Sequence, residues 1–324
     1  MYTLEEINSK ITEAIKQVRL NKEPRNLYEP ISYILGMGGK RIRPALLLAA
    51  CNLYSDDIDN AIPASIAVEI FHNFTLVHDD IMDKATMRRG FETIHKRWND
   101  NIAILSGDAM TILAYQYLNQ IDKEVLPEVI SIFNSFAIGI CEGQQMDMDF
   151  ETLEMVSKED YLKMIELKTS VLLKGALQIG AVIGGASSDD IELIGEFGRT
   201  MGLAFQLQDD LLDTYGKSDV FGKRIGGDII SAKKTMLSIE TYHKLDDTAK
   251  KEFLELYNRK DIEGNLKIQK VKEYFGMVKV KESIESLINE YFDKAQSSLN
   301  QLSVEPGRKI VLSNILSKLI GRES

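Results

Sequence analysis

Apolar residues recur along most of this chain at spacings of three and four, the period of a helix packed on one side. Leu4, Ile7, Ile11, Ile15 and Val18 open the pattern and predict a first helix from Thr3 to about Asn21. A short helix over Tyr28 to Leu35 follows, ended by Gly36, Gly38 and Gly39. Pro44 to Tyr54 and Ile62 to Met82 are strongly apolar; Asn101 to Asn119, Pro127 to Phe150, Lys158 to Ile183, Asp189 to Tyr215 and Lys233 to His243 continue the series. Strand-like alternation is missing throughout, so the pattern predicts an all-α fold. Glycines in KGALQIGAVIGGA weaken a helix, and close helix packing is the ordinary reason to tolerate them. From Asp246 to Ser303 the chain is rich in Lys and Glu with a thinner apolar stripe, as outer helices are, and Ile310 to Ile320 closes the chain before Arg322.

With 324 residues, 44% of them hydrophobic, the chain can bury a sizeable core. Six prolines and no linker-like stretch predict one domain over residues 1–324, with a motif core at 38–235 and outer helices at 246–324. A net charge of -10 argues against a nucleic-acid partner, whose binding needs an excess of Lys and Arg. Cys51 and Cys141 lie in apolar surroundings without metal-type spacing and read as core thiols in a reducing compartment. The N-terminus lacks a continuous apolar region, and Lys174 interrupts the best candidate for a membrane span. The expectation is a cytoplasmic protein without a transmembrane segment.

The candidate chemistry starts at EIFHNFTLVHDDIMDKATMRRG, Glu69 to Gly90. Asp79 and Asp83 are four apart on one predicted helix face, roughly 6 Å along the axis, with Asp80 beside them. Such a pair repels itself unless a hard cation sits between the carboxylates. The device recurs in FQLQDDLLD, where Asp209 and Asp213 are four apart and Asp210 flanks the first. Facing each other in a bundle, the two motifs would bring carboxylates to one space, as metal sites in helical bundles do. Cations accompany them. Lys40, Arg41 and Arg43 lie on a Gly-rich turn suited to phosphate, Arg88 and Arg89 follow Asp83, and Lys168, Lys223 and Lys233 flank the second motif. Many carboxylates with many cations, in an otherwise acidic chain, suggest two phosphorylated ligands, one held through divalent metal and one directly.

GGKRIRP, His72, DDIMD with MRRG, EGQQMD, LKT, FQLQDDLLD and GGDIISAKKT occur in that order. Together, from Gly38 to Thr235, they resemble the trans-type isoprenyl diphosphate synthases, or polyprenyl synthetases. The resemblance implies a helical bundle with a deep central cavity, a homodimer, and Mg²⁺-dependent (Mn²⁺ as a substitute) head-to-tail condensation of isopentenyl diphosphate with an allylic diphosphate. Residue by residue, it implies Asp79, Asp83 and Asp209 as metal ligands, and leaves open whether Asp80 and Asp213 ligate or stand behind the ligands. It places Arg88, Lys168, Thr169, Gln206, Lys223 and Lys233 at the allylic diphosphate, with Lys168, Thr169 and Gln206 as the catalytic set. Lys40, Arg43, His72 and Arg89 would hold isopentenyl diphosphate; Gln144 and Asp147 would line the cavity. His78, His95 and His243 read as satisfied core histidines.

The chemistry accounts for these residue types. An allylic diphosphate ionises when its leaving group is neutralised, and hard oxygen ligands suit Mg²⁺ shared with phosphates. The carbocation then needs apolar walls and weak dipoles such as Gln206 and Thr169. Product length is expected from Phe74, Thr75 and Phe71, which precede Asp79 by five, four and eight positions. In the resembled family a bulky residue at the fifth position stops growth early, so Phe74 with the small Thr75, and a first motif without an insertion, suggest geranylgeranyl diphosphate (C20), with farnesyl diphosphate (C15) as the alternative. A terpene cyclase would not need Lys40 and Arg43, and an inactive regulatory subunit would not keep both motifs intact. A di-iron carboxylate bundle needs Glu-x-x-His pairs on facing helices, and none is expected here.

Overall fold

Local signals set the first helix boundary in the computed structural model, which describes residues 1–216 and 225–320. Thr3 and Glu6 form a reciprocal capping box at the start of α1 (Leu4–Lys16). That helix stops short of Asn21, because the apolar position after Ile15 that becomes buried is Leu20, five residues on and off the helical stripe. Then come α2 (Arg25–Gly36), α3 (Ile42–Tyr54), α4 (Ile62–Met82), α5 (Ile94–Arg97) and α6 (Asp100–Leu118). The middle of the chain forms α7 (Leu126–Thr152), α8 (Lys158–Ile165), a π-helical turn (Glu166–Ser170), α9 (Val171–Gly184) and α10 (Ser188–Tyr215). Past residue 225 lie α11 (Gly227–Ile230), α12 (Met236–Lys244), α13 (Asp247–Asn258), α14 (Gly264–Met277), α15 (Val280–Gln301) and α16 (Ile310–Ile320).

One departure from pure helix matters. Met87–Arg88 and Phe91–Glu92 pair as a two-stranded antiparallel hairpin, too short to show alternation in sequence. Its turn residues Arg89 and Gly90 have φ of 53° and 80°, the left-handed pair that a two-residue hairpin turn demands.

The chain divides into two compact units. The first holds Met1–Asn134, Gly175–Ile194 and Leu302–Leu312; the second holds Ser135–Lys174, Gly195–Gln301 and the chain from Ser313. In the first unit α4 packs against α1, α2, α3 and α6. Every residue from Ala64 to Asn73 is buried, so this helix is apolar all round rather than amphipathic. Small residues permit the close approaches. A Cβ on Gly107 of α6 would lie 2.3 Å from His78 Nε2, and one on Gly180 of α9 would lie 2.0 Å from the Leu47 carbonyl oxygen. Arg308 fastens the returning chain by donating to the Asn52 carbonyl at 3.0 Å and to Asp56 at 2.9 Å.

In the second unit the π-helical turn lies between two glycines. A Cβ on Gly143 of α7 would meet the Lys168 backbone nitrogen at 2.4 Å, and one on Gly202 of α10 would meet Ser170 Cα at 2.7 Å. The outer helices pack through a thin stripe, as expected. Phe253 and Tyr257 stack at 5.3 Å, and Ile284, Ile288, Phe292, Ala295 and Leu299 bury one face of α15.

Two sequence expectations need correction. Cys51 is buried, but Cys141 is exposed, because it falls on the outer side of α7 despite apolar neighbours in sequence. The stretch Lys158–Gly184 is long and apolar enough to cross a membrane by length and composition, in spite of Lys174. Of its most apolar window 56% is buried inside the fold, which accounts for its composition as core.

Gly180→Ala is expected to destabilise the protein by about 1–3 kcal/mol although alanine is the better helix former, since overpacking against a backbone oxygen outweighs propensity. Urea denaturation of the variant beside the parent protein measures this; equal or greater stability of the variant would refute the close approach.

Candidate functional site

In the first unit the acidic motif lies at the C-terminal end of α4, where Asp83 is the cap residue and its N–H reaches the Asp79 carbonyl at 2.8 Å. Carboxylates there oppose the helix dipole, so local stability does not explain them. Asp79 is half-buried and Asp83 exposed. Asp80 points elsewhere. It is buried and accepts from Arg88 Nε at 2.9 Å on both oxygens, with Arg88 Nη2 at 2.8 Å. The Asp80–Arg88 pair thus ties the hairpin to α4, while Thr93 Oγ1 donates to the Ala85 carbonyl at 2.7 Å and fixes the intervening loop.

The hairpin turn brings Arg89 to the Gly-rich turn before α3. Arg89 Nη1 donates to the Gly38 carbonyl, and the guanidinium lies so close to Gly39 (φ 139°) that a Cβ there would sit 2.9 Å from Arg89 Cζ. Arg41, in the left-handed region at φ 46°, donates to Thr12 Oγ1 at 3.1 Å and also acts electrostatically on Glu69 and Arg89. Arg43, Glu69, His72 and Arg89 interact electrostatically. Burial pushes the Arg43 guanidinium down to about 10, with Glu69 opposing and Arg89 adding to the fall. Arg43 Nε is buried without a hydrogen-bond partner among the described residues, a donor waiting for an acceptor. Burial raises the Glu69 carboxyl, against the pull of Arg43. Burial first, then Arg43, Arg89 and Arg88, hold His72 well below its ordinary range, so the ring is neutral at pH 7 and one nitrogen donates. Lys40 is exposed on the same turn.

The second unit gathers the other set. Lys168 Nζ donates to Asp147 Oδ2 at 2.6 Å, and Lys233 Nζ lies 3.9 Å from the same oxygen. Burial alone would raise the Asp147 carboxyl; Lys233 and Lys168 outweigh it and hold it below its ordinary range. Thr169 Oγ1 donates to Gln206 Oε1 at 3.1 Å, and Gln206 Nε2 to Asp210 Oδ1 at 3.1 Å. Asp213 Oδ2 accepts the Asp228 N–H at 3.0 Å. Asp209 is half-buried on α10. Lys223 lies outside the described residues.

Beside the first motif, Phe71 is buried and packs edge-on against Phe133 at 5.1 Å. Phe74 is half-buried, its ring 4.8 Å from that of His78. Thr75 Oγ1 is tied to the His72 carbonyl at 2.8 Å.

Sequence reasoning missed the partners of several site residues: Glu69 near Arg43, Tyr161 and Gln206 on Asp210, and Asp228 at Asp213. Contacts between residues tens of positions apart leave no local signal, although an acidic residue among apolar neighbours, as at Glu69, invites the search. The histidines also differ from expectation. His78 is half-buried with Nε2 3.2 Å from the Ile104 carbonyl, His95 is buried with neither ring nitrogen bonded among the described residues, and His243 is exposed. Three Glu-x-x-His spacings do occur, Glu69 with His72, Glu92 with His95 and Glu240 with His243, but Glu69 faces Arg43, Glu92 is an exposed strand residue, and Glu240 is paired with Lys158 and Lys244. Among the described residues no three His, Cys, Asp or Glu side chains are grouped to hold a metal ion by themselves.

Comparison with known proteins adds independent findings. The polyprenyl synthetase family model matches residues 24–275. A geranylgeranyl diphosphate synthase of Methanosarcina mazei is 39% identical over 239 residues, 73% of this chain and 74% of that protein. A crystal structure of a geranylgeranyl pyrophosphate synthase matches with a TM-score of 0.95 at 42% identity, covering 100% of both chains. A polyprenyl synthase from Caulobacter crescentus CB15, complexed with calcium and isoprenyl diphosphate, matches with a TM-score of 0.86 at 26% identity, over 99% of this chain and 96% of that one.

The depressed His72 ring makes stability depend on pH. Below its ordinary value of 6.5 the unfolded chain takes up a proton there that the folded protein does not. Stability is therefore unaffected by this ring above 6.5 and falls as pH drops below it, by at most about 1.4 kcal/mol per pH unit. His72→Gln should remove that part of the slope in urea titrations from about pH 7 to pH 5; parallel curves for the two proteins would count against a neutral buried His72.

Proposed function

The chain belongs to the polyprenyl synthetase family, and from that premise we propose that it condenses isopentenyl diphosphate with dimethylallyl, geranyl or farnesyl diphosphate. The product is a short-chain all-trans prenyl diphosphate, geranylgeranyl diphosphate above all. One observation carries the reading: three stretches of sequence, the first turn of α3, α4 and the hairpin, bring Arg43, His72 and Arg89 together, with a buried Arg43 N–H unbonded among the described residues. That is a site for an anion. Lys40, Arg43, His72 and Arg89 hold isopentenyl diphosphate in this reading. Lys168, Lys233, Lys223 and Arg88 hold the allylic diphosphate, Lys168 and Lys233 from their present partner Asp147.

The donor set fits a hard divalent cation. Asp79 is half-buried and Asp83 exposed, whereas Asp80 is buried in its pair with Arg88. Mg²⁺ characteristically takes one or two carboxylates and completes its shell with water and substrate phosphates, which agrees with motifs that form no all-protein cage. In this reading Asp79 and Asp83 of the first motif and Asp209 of the second would hold it, while Asp213 accepts the Asp228 N–H. When bound, the ion supplies charge neutralisation to the leaving diphosphate. The calcium and isoprenyl diphosphate of the Caulobacter protein support the pairing of ion and ligand.

In the reaction the carbon–oxygen bond of the allylic diphosphate breaks, both electrons leaving with diphosphate. The terminal double bond of isopentenyl diphosphate then forms the new carbon–carbon bond, and a proton from the neighbouring carbon passes to the released diphosphate. Thr169 and Gln206 offer oxygen dipoles to the positive carbon. Neutral His72 donates a hydrogen bond without adding a charge. Phe74 limits chain growth, with Thr75 showing its methyl because its hydroxyl is bound to the helix. A homodimer and a cytoplasmic location complete the reading; Ile104, Leu105 and Ile112, exposed on α6, suit cover by a second copy.

Mass-resolved product analysis with Mg²⁺, isopentenyl diphosphate and each starter in turn should give a C20 diphosphate from all three. A hydrocarbon product, or no turnover, would defeat the proposal. Asp79→Ala should lower turnover by at least about a hundredfold while leaving the thermal transition in place, and normal turnover would remove Asp79 from the metal site. Phe74→Ala should lengthen the product, as read from the same mass analysis; an unchanged product would place the limit elsewhere.

A further inference from the structure

We propose that Tyr161 and Asp210 are positioning residues that, acting through Gln206, fix the direction of the Thr169 hydroxyl. This deepens the reading given above and rests on it. The geometry lies wholly within the second unit. Tyr161 O–H donates to Asp210 Oδ2, Gln206 Nε2 donates to Asp210 Oδ1 at 3.1 Å, and Thr169 Oγ1 donates to Gln206 Oε1 at 3.1 Å.

Each link constrains the next. Burial, with Asp228 adding, pushes the Asp210 carboxyl up to about 7, while Tyr161 and Gln206 favour its ionised form; in that form, with a donor on each oxygen, it acts only as an acceptor and selects the amide nitrogen of Gln206 and not its oxygen. The planar amide then has to present Oε1 on its other side, toward Thr169. A hydroxyl owns one hydrogen; once that hydrogen is given to Gln206, the lone pairs of Thr169 are all that it can show to a ligand. A freely turning hydroxyl could point either end of its dipole at a neighbouring carbocation. This one presents its negative end, which is the arrangement that stabilises developing positive charge without reorganisation.

The setting enforces the relay. Tyr161 is 2% exposed and Asp210 5% exposed, so water does not compete for the carboxylate. Thr169 sits in the π-helical turn between Gly143 and Gly202, and Gln206 lies one helical turn beyond Gly202 on α10. Successive residues on a helix are separated by about 100°, so Asp210 is rotated by about that angle from Asp209, and it is buried where Asp209 and Asp213 are half-buried. The middle aspartate of the second motif thereby has a task of its own: it orients the amide beside the cation.

The test is a double-mutant cycle on the full chain with Mg²⁺, isopentenyl diphosphate and geranyl diphosphate. Tyr161→Phe removes one hydroxyl from a buried ring and is expected to lower kcat about tenfold, with both KM values within about twofold. Thr169→Val is expected to lower kcat as well. Added to Thr169→Val, Tyr161→Phe should cost nothing further, because there is no longer a hydroxyl to orient. A purely structural tyrosine would reduce activity equally in both backgrounds. Full kcat in Tyr161→Phe, or the same loss on top of Thr169→Val, overturns the relay. If Tyr161→Phe lacks a cooperative thermal transition, Asp210→Asn runs the same cycle from the other link, and the same two results decide it. A parent protein that forms no prenyl diphosphate overturns the functional reading and the relay with it; an active parent with additive variants overturns the relay alone.

Discussion

A carboxylate taken out of water must meet cations or several donors, or it costs the fold more than its neighbours return. Three aspartates impose that condition here. Asp80 meets it with the Arg88 guanidinium and Asp147 with two lysines, while Asp210 meets it in part, with a tyrosine hydroxyl and an amide, burial still pushing its carboxyl up to about 7. Each solution recruits a distant stretch of chain, and in doing so sets the position of a residue near the chemistry. The hairpin carrying Arg89 is placed by Asp80, the Lys168 ammonium by Asp147, and the Gln206 amide by Asp210. Compensation of buried charge and construction of the site are therefore the same physical event.

The two acidic motifs share this division of labour. In each, the first and last aspartates lie on one side of the helix, and the middle one is rotated into the protein. An isolated reading of DDxxD treats three equivalent carboxylates. The structure separates them by burial: Asp80 and Asp210 are enclosed, while Asp79, Asp83, Asp209 and Asp213 keep exposed surface.

Much of this was readable from residues in sequence, and what was missed follows a pattern. Period and caps located most helices, since a packed helix must repeat its apolar positions; α1 ends sooner than expected, where Leu20 buries itself off the stripe, the helix expected from Lys233 begins at Met236, and the one expected over Lys158–Ile183 is interrupted by the π-helical turn. Within the units some motif residues meet: Arg43 interacts with His72 and Arg89, Lys168 and Lys233 share Asp147, and Thr169 bonds Gln206. The hairpin escaped because two-residue strands have no period, and Cys141 was misplaced because apolar neighbours in sequence do not fix which side of a helix faces out. Tyr161 and the partner of Glu69 escaped for another reason. Their importance is a matter of partners 49 residues away in one case and of charges on other elements in the other.

The burial profile of α4 changes character within a single helix. From Ala64 to Asn73 every side chain is enclosed, and from Phe74 onward most are only partly so. A substitution in the first stretch meets neighbours on all sides and is opposed by close packing. One at Phe74, Thr75 or His78 meets fewer, and the hydrogen bonds of the helix backbone do not depend on it. The helix thus offers evolution a rigid root and a permissive tip. Side chains beside the acidic motif can be exchanged while the packed scaffold that aims the aspartates stays in place.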